Sequence, residues 1–108
     1  MIYILTGGPA TGKGTRSDIL AKALNIPHIA TGDMLRNVAK TNEDIAQKLQ
    51  KGELISDDII TKLLEDRINE EDCKPGFVLD GYPRTYSQAV LLDELLKRNN
   101  RQITKVME

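Results

Sequence analysis

A glycine-rich segment near the start of the chain has the residue types and spacing of a phosphate-binding loop. Gly7, Gly12 and Lys13 satisfy the pattern G-x-x-x-x-G-K, directly after the apolar run at positions 2–5. Glycines let the backbone curl so that several N–H groups face one anion, and the helix that begins there adds the positive end of its dipole. Lys13 supplies a mobile positive charge for outer phosphates. A plain glycine-rich turn is the alternative, but the lysine in register favours phosphate binding.

The composition excludes several classes of function. The chain has 108 residues, of which 40% are apolar, and this length and composition indicate one globular domain at most. Its formal net charge of −1 argues against the basic surface of a nucleic-acid-binding protein. No apolar run approaches the roughly 20 residues that span a bilayer, and the start lacks the pattern of a signal peptide. We therefore expect no nucleic-acid or membrane partner. A monomer is the expected state, although the composition does not determine it.

The single cysteine, Cys73, and the single histidine, His28, cannot form an internal disulfide or a zinc site between them. We expect Cys73 to be a small structural residue, because no neighbouring histidine would activate it as a catalytic thiol. His28 is expected at the surface or in a hydrogen bond. The low cysteine count is typical of a reduced, cytoplasmic location.

Strand and helix signals alternate along the chain, which predicts an α/β fold with a parallel sheet and helices on both faces. Apolar runs predict strands at 2–6, 28–30, 77–79 and 103–107. Helical spacing of apolar residues predicts helices in the segments between these strands: 13–24, a helix after a cap at 31–33, one around 45–49, one after the cap Ser56, and one around 89–96.

The informative loops follow the first three predicted strands, at 7–15, 31–36 and 80–88. Ligands of parallel α/β sheets bind at the carboxyl ends of the strands. The three loops are therefore expected to meet at one ligand-binding edge.

Three segments together resemble the adenylate kinase family of nucleoside monophosphate kinases. They are the loop from Gly7 with its ending Gly12-Lys13-Gly14-Thr15, the run Thr31-Gly32-Asp33-Met34-Leu35-Arg36, and the run from Gly76 to Thr85 followed by Gln88. The family's loop shares the Gly-Lys-Gly-Thr ending, which accounts for a glycine where Ser or Thr usually follows the lysine. The resemblance implies the three-layer architecture of P-loop nucleoside triphosphate hydrolases.

The resemblance implies binding of ATP phosphates and transfer of a phosphoryl group. Lys13 would bridge the transferred group, and Thr15 would bond an inner phosphate. The residues implied for ATP are Ala10, Thr11, Gly12, Lys13, Gly14 and Thr15.

The same resemblance implies an AMP site. Arg36 and Arg84 would clamp the α-phosphate, since a guanidinium binds two phosphate oxygens at once, and Arg84 with Lys13 would be catalytic. Thr31 and Gln88 would contact adenine, because a glutamine amide offers a donor and an acceptor together. Surface ion pairs are the alternative for the arginines, and a solvated helix position for Gln88. The remaining implied residues are Glu53, Leu54, Ile55, Gly81, Tyr82 and Pro83.

The cofactor implied is Mg²⁺ bound with ATP, and Asp80 would orient it through water. A turn carboxylate at the end of a strand is the alternative for Asp80. Relatives also imply a cis peptide bond between Tyr82 and Pro83.

The resemblance covers the whole chain but about half of the family's usual length. We therefore expect residues 1–108 to be the N-terminal part of a P-loop kinase core domain, with 30–55 as a mobile AMP-binding region and with the lid and C-terminal part absent. The expected reaction is ATP plus AMP giving two ADP, for adenine nucleotide homeostasis, with the isolated piece nearly inactive. A UMP/CMP-type kinase and a non-catalytic nucleotide-binding fragment are the alternatives.

Overall fold

A computed structural model describes residues 1–5 and 13–107, with side chains described for 1–5 and 17–107. The strands are β1 (Ile2–Leu5), β2 (His28–Ala30), β3 (Phe77–Asp80) and β4 (Lys105–Met107). The helices are α1 (Lys13–Leu24), α2 (Thr31–Ala39), α3 (Glu43–Lys51), α4 (Asp57–Ile68) and α5 (Tyr86–Arg98). A 3-10 turn at Glu71–Cys73, which the sequence pattern did not predict, precedes β3.

The four strands form one parallel sheet in the order β2-β3-β1-β4. This confirms the α/β fold class predicted from the alternation of strands and helices. The burial of all four β3 residues fits its place between two neighbours.

Alternation along the strands builds a core on each face of the sheet. Ile2 and Ile4 of β1 share one buried cluster with apolar residues of α4 and α5. Leu5 belongs to a second cluster with Val78 of β3 and Ala21 of α1. The helices therefore cover both faces, as predicted, and this packing fixes the strand ends on which a site can be built. In the described part of the chain, no helix has the length and apolar character needed to cross a membrane.

Two of the helix starts test the predicted caps. The Ser56 hydroxyl accepts a hydrogen bond from the Ile59 N–H at 3.4 Å, which confirms Ser56 as the cap of α4. The predicted cap of α2 at 31–33 is wrong, because helical geometry already begins at Thr31 and the capping position is Ala30. Alanine has no side-chain acceptor, so Asp33 in the first turn supplies the favourable negative charge instead.

Candidate functional site

The carboxyl ends of three neighbouring strands are level with one another. Leu5, the last residue of β1, pairs with Asp80 of β3, and Ala30, the last residue of β2, pairs with the same Asp80. These three strands therefore end side by side at one edge of the sheet. Backbone contact joins two of them, since the Gly81 N–H donates to the Leu5 carbonyl at 3.4 Å.

The residues predicted to hold ATP phosphates fall largely outside the described structure. Ala10, Thr11 and Gly12 lie outside the described residues, and Lys13, Gly14 and Thr15 are described by their backbone alone. That backbone forms the first turn of α1. A helix therefore starts at Lys13, as the motif spacing predicts.

Asp80 lies at the centre of this edge and is only 7% exposed. One of its carboxylate oxygens, Oδ2, lies 3.2 Å from Nε2 of His28. The other ring nitrogen, Nδ1, lies 2.8 Å from Oδ1 of Asp18. The imidazole therefore connects α1 to β3 and fixes the orientation of the Asp80 carboxylate, and the prediction of a hydrogen-bonded histidine is confirmed.

The environment of Asp80 fits a magnesium ion that arrives with a nucleotide. Mg²⁺ in such sites takes one or two carboxylates and completes its shell with water and substrate phosphates. Among the residues that the structure describes, no three His, Cys, Asp or Glu side chains are grouped to hold a metal ion by themselves. A single carboxylate, oriented by His28, fits a metal ion that takes its other ligands from water and substrate phosphates.

Arg84 and Gln88 are held together in the segment after β3. The Arg84 guanidinium donates through Nε to the Gly81 carbonyl at 2.9 Å, while its side chain remains exposed. The Arg84 backbone N–H donates to Oε1 of Gln88 at 2.7 Å. Gln88 Nε2 in turn donates to Oδ1 of Asp57 at 2.9 Å, which connects the first turns of α5 and α4.

Arg36 and Thr31 lie on α2, which starts directly after β2. The Arg36 guanidinium forms an ion pair with Asp33 one turn earlier, and both side chains are well exposed. Such an exposed pair contributes little to stability, so a phosphate could replace Asp33 as the partner at small cost. Thr31 is half-buried at the first position of the helix.

The segment between α3 and α4 contains the three predicted contacts at 53–55. Leu54 is 95% exposed, and Glu53 is also exposed, while Ile55 is half-buried. The Glu53 N–H donates to the Lys48 carbonyl at 2.9 Å, which closes the end of α3.

Tyr82 anchors the segment after β3 in the core. Its hydroxyl lies 2.9 Å from the Thr61 hydroxyl, and burial raises the pKa of Tyr82 while the Asp57 charge adds to the increase. The tyrosine therefore stays neutral, and it would meet a ligand through its backbone because its side chain is buried. The Tyr82–Pro83 peptide bond is cis, as the resemblance implied.

Sequence reasoning missed two partners in this site. From the sequence, Asp57 predicts only a favourable negative charge one residue after the cap Ser56, yet it bonds Gln88, 31 positions away. His28 was expected to be hydrogen-bonded but not to a candidate magnesium ligand 52 positions away. Only the order of the strands and helices brings these pairs together, so no local pattern could have identified them.

A cavity of about 340 Å³ lies elsewhere, between α2 and α4 along the outer edge of β2. Its polar lining includes Asp33, Arg67 and Glu70. None of the described residues predicted to bind ATP or AMP lines it, although Thr31 and Arg36 belong to the same helix α2. The level strand ends, with their converging polar side chains, are the stronger candidate site.

Comparison with known proteins agrees with the motifs. The family model described as adenylate kinase matches residues 5–108. The adenylate kinase of Caldicellulosiruptor bescii is 44% identical over 111 aligned positions, which cover 99% of this chain and 52% of that protein. The adenylate kinase of Bartonella henselae is also 44% identical, covering 100% of this chain and 58% of that protein, and that of Methanocella arvoryzae is 42% identical, covering 99% and 51%. The chain thus spans about half the length of these curated relatives.

Proposed function

Because the chain belongs to the adenylate kinase family, we propose that the complete protein transfers the terminal phosphoryl group of ATP to AMP, giving two ADP. The bond between the γ-phosphorus and the β–γ bridging oxygen breaks, and a new bond forms to an oxygen of the AMP phosphate. The observation that carries this proposal is the family match over residues 5–108. The level ends of β1, β2 and β3 support it, since the three motif segments follow these strands in the sequence.

The phosphates of ATP are proposed to bind to the segment Ala10–Thr15. Lys13 would follow the transferred group, whose negative charge is spread over its oxygens in the transition state. Stabilisation of that charge, with alignment of donor and acceptor, accounts for most of the catalysis in phosphoryl transfer.

AMP is proposed to bind between α2, the 53–55 segment and the residues after β3. Arg36 and Arg84 would exchange their present partners, Asp33 and the Gly81 carbonyl, for oxygens of the α-phosphate. Thr31 and Gln88 would contact adenine, and backbone groups of the remaining predicted residues would complete the pocket.

Residues 30–55 are proposed to move as an AMP-binding region, within an N-terminal part of a P-loop kinase core domain. Closure over AMP would exclude water, which would otherwise take the phosphoryl group. Mg²⁺ would be oriented by Asp80 through water, and when bound it neutralises charge on the ATP phosphates.

The proposed partners are ATP, AMP and ADP, and the proposed setting is nucleotide biosynthesis and adenine nucleotide balance in the cytoplasm, with the protein acting as a monomer. A kinase that prefers UMP or CMP is the competing enzyme. The Thr31-Gly32-Asp33 run favours AMP, because UMP/CMP relatives tend to differ in this segment.

The experiment that tests this function replaces the two proposed catalytic residues in the complete protein. Lys13→Met and Arg84→Ala each lower AMP-dependent ADP formation at least about a hundredfold, because each removes positive charge from the transferred or accepting phosphate. A coupled assay with ATP, Mg²⁺ and AMP measures the rate.

Two substitutions at the far ends of α1, which begins at Lys13, and of α5, which begins two residues after Arg84, serve as controls. Lys22→Met lies in the last turn of α1 and Arg98→Ala in the last turn of α5, and both side chains are exposed. These controls keep the rate within about twofold of the unmodified protein, because neither side chain lies at the strand ends, and Arg98 pairs instead with Glu65 of α4. Near-normal turnover of both Lys13→Met and Arg84→Ala would contradict the proposed function.

A further inference from the structure

We propose that Asp57 is a positioning residue that fixes the side-chain amide of Gln88 in the orientation that selects a 6-aminopurine over a 6-oxopurine. This inference rests on the proposed function, because it assigns a specificity device to the proposed adenine contact. The evidence is that both the oxygen and the nitrogen of the Gln88 amide make hydrogen bonds within the protein.

The two partners of the Gln88 amide permit only one orientation. Asp57 presents a carboxylate, which only accepts hydrogen bonds when ionised, so the NH₂ end of the amide must face it. The backbone N–H of Arg84 only donates, so the carbonyl end must face that side. An amide turned by half a rotation would set its oxygen against a carboxylate and its NH₂ against an N–H.

The charged partner makes the stronger contribution to this preference. A hydrogen bond to an ionised group is about twice as strong as one between neutral groups. The Gln88 backbone is also fixed, because its N–H donates to the capping hydroxyl of Thr85 at 3.1 Å. Both ends of the side chain are therefore held before any ligand arrives.

A count of the remaining hydrogen-bonding capacity gives the ligand preference. A glutamine amide has two N–H donors and two oxygen lone pairs, of which Asp57 and Arg84 each use one. One donor and one acceptor remain. Adenine offers a complementary pair, the 6-amino donor beside a ring-nitrogen acceptor. A 6-oxopurine places an acceptor where adenine has its donor, so it would meet the fixed amide oxygen unfavourably.

The test measures acceptor preference in the complete protein with Asp57→Ala, Asp57→Asn and Gln88→Ala, and with AMP and IMP as the two acceptors. For Asp57→Ala, the KM for AMP rises about tenfold and the AMP-over-IMP ratio of kcat/KM falls about tenfold, whereas the KM for ATP changes less than about twofold. Asp57→Asn keeps the shape and one acceptor, so its effect lies between the unmodified protein and Asp57→Ala.

Asp58→Asn is the matched control. Asp58 lies beside Asp57 in the same first turn of α4, so its replacement removes a similar interaction with the helix dipole, and its side chain is exposed. The AMP-over-IMP ratio of Asp58→Asn stays unchanged. A purely structural role of Asp57 would lower the melting temperature without changing that ratio.

The outcomes separate this inference from the function on which it rests. If Asp57→Ala changes the ratio in the unmodified protein but not in a Gln88→Ala background, the residue acts through Gln88 and the inference is supported. If Gln88→Ala raises the KM for AMP and both Asp57 variants leave the ratio unchanged, the inference is wrong while the proposed function stands. If the unmodified protein forms no ADP from ATP and AMP, the function itself fails and the inference fails with it.

Discussion

At the scale of single residues, the side chains of the candidate site are held by partners that a ligand can replace or use. The exposed guanidinium groups of Arg36 and Arg84 bind partners three residues away in the sequence, Asp33 and the Gly81 carbonyl. Asp80 and Gln88 are instead fixed by residues from other elements, His28 and Asp57. Phosphate binding therefore needs only a small exchange of surface contacts, whereas the groups that would orient a metal ion and a base are already in place.

Cys73 lies outside the candidate site, and its burial makes it unreactive. Its side chain is fully buried, the Arg67 guanidinium donates to its sulfur at 3.3 Å, and burial raises the pKa of Cys73 to about 11. The thiol is free and stays protonated at neutral pH, which agrees with its interpretation as a structural residue.

We expect Cys73 to react with a disulfide reagent such as Ellman's reagent at pH 8 at least about a hundredfold more slowly in the native protein than in urea, because the thiolate is the reactive form. Absorbance of the released thiolate measures both rates. Equal rates in native and unfolded protein would contradict this description of the cysteine.

At the scale of elements, the turn before β3 controls the pairing of the two central strands. Gly76 has a φ of 145°, and a side chain there would bring its first carbon 1.9 Å from the Met1 carbonyl oxygen. That oxygen accepts the Phe77 N–H at 2.9 Å, and the Met1 amino group donates to the Pro75 carbonyl at 3.0 Å. The glycine thus allows the start of β1 to pack directly against the start of β3.

Gly76→Ala is expected to lower the free energy of unfolding by more than about 3 kcal/mol, because both the positive φ and the backbone overlap oppose any side chain. Urea unfolding followed by circular dichroism measures the loss. Gly52→Ala is the matched control, since Gly52 also has a positive φ, 73°, but a side chain there meets nothing within 4 Å. Its cost is about 1 kcal/mol, and equal costs for the two variants would contradict the role of the Gly76 contact.

At the scale of the whole molecule, local patterns predict the elements and the edge at which the site lies. Spacing of apolar residues predicts helices and strands, and the parallel strands β1, β2 and β3 end level with one another. The strand order does not follow from such patterns, because it depends on how helices pack over the sheet. The Asp57–Gln88 and His28–Asp80 pairs depend on that order, which is why the sequence predicted residue types there but not partners.

The most direct test of the account offers AMP, CMP and UMP separately to the complete protein with ATP and Mg²⁺ and measures ADP formation. The account predicts turnover with AMP at a kcat/KM at least about a hundredfold above that with CMP or UMP, because the Thr31-Gly32-Asp33 run favours AMP over the pyrimidine acceptors. Equal or better use of a pyrimidine nucleotide, or no turnover with any acceptor, would contradict it.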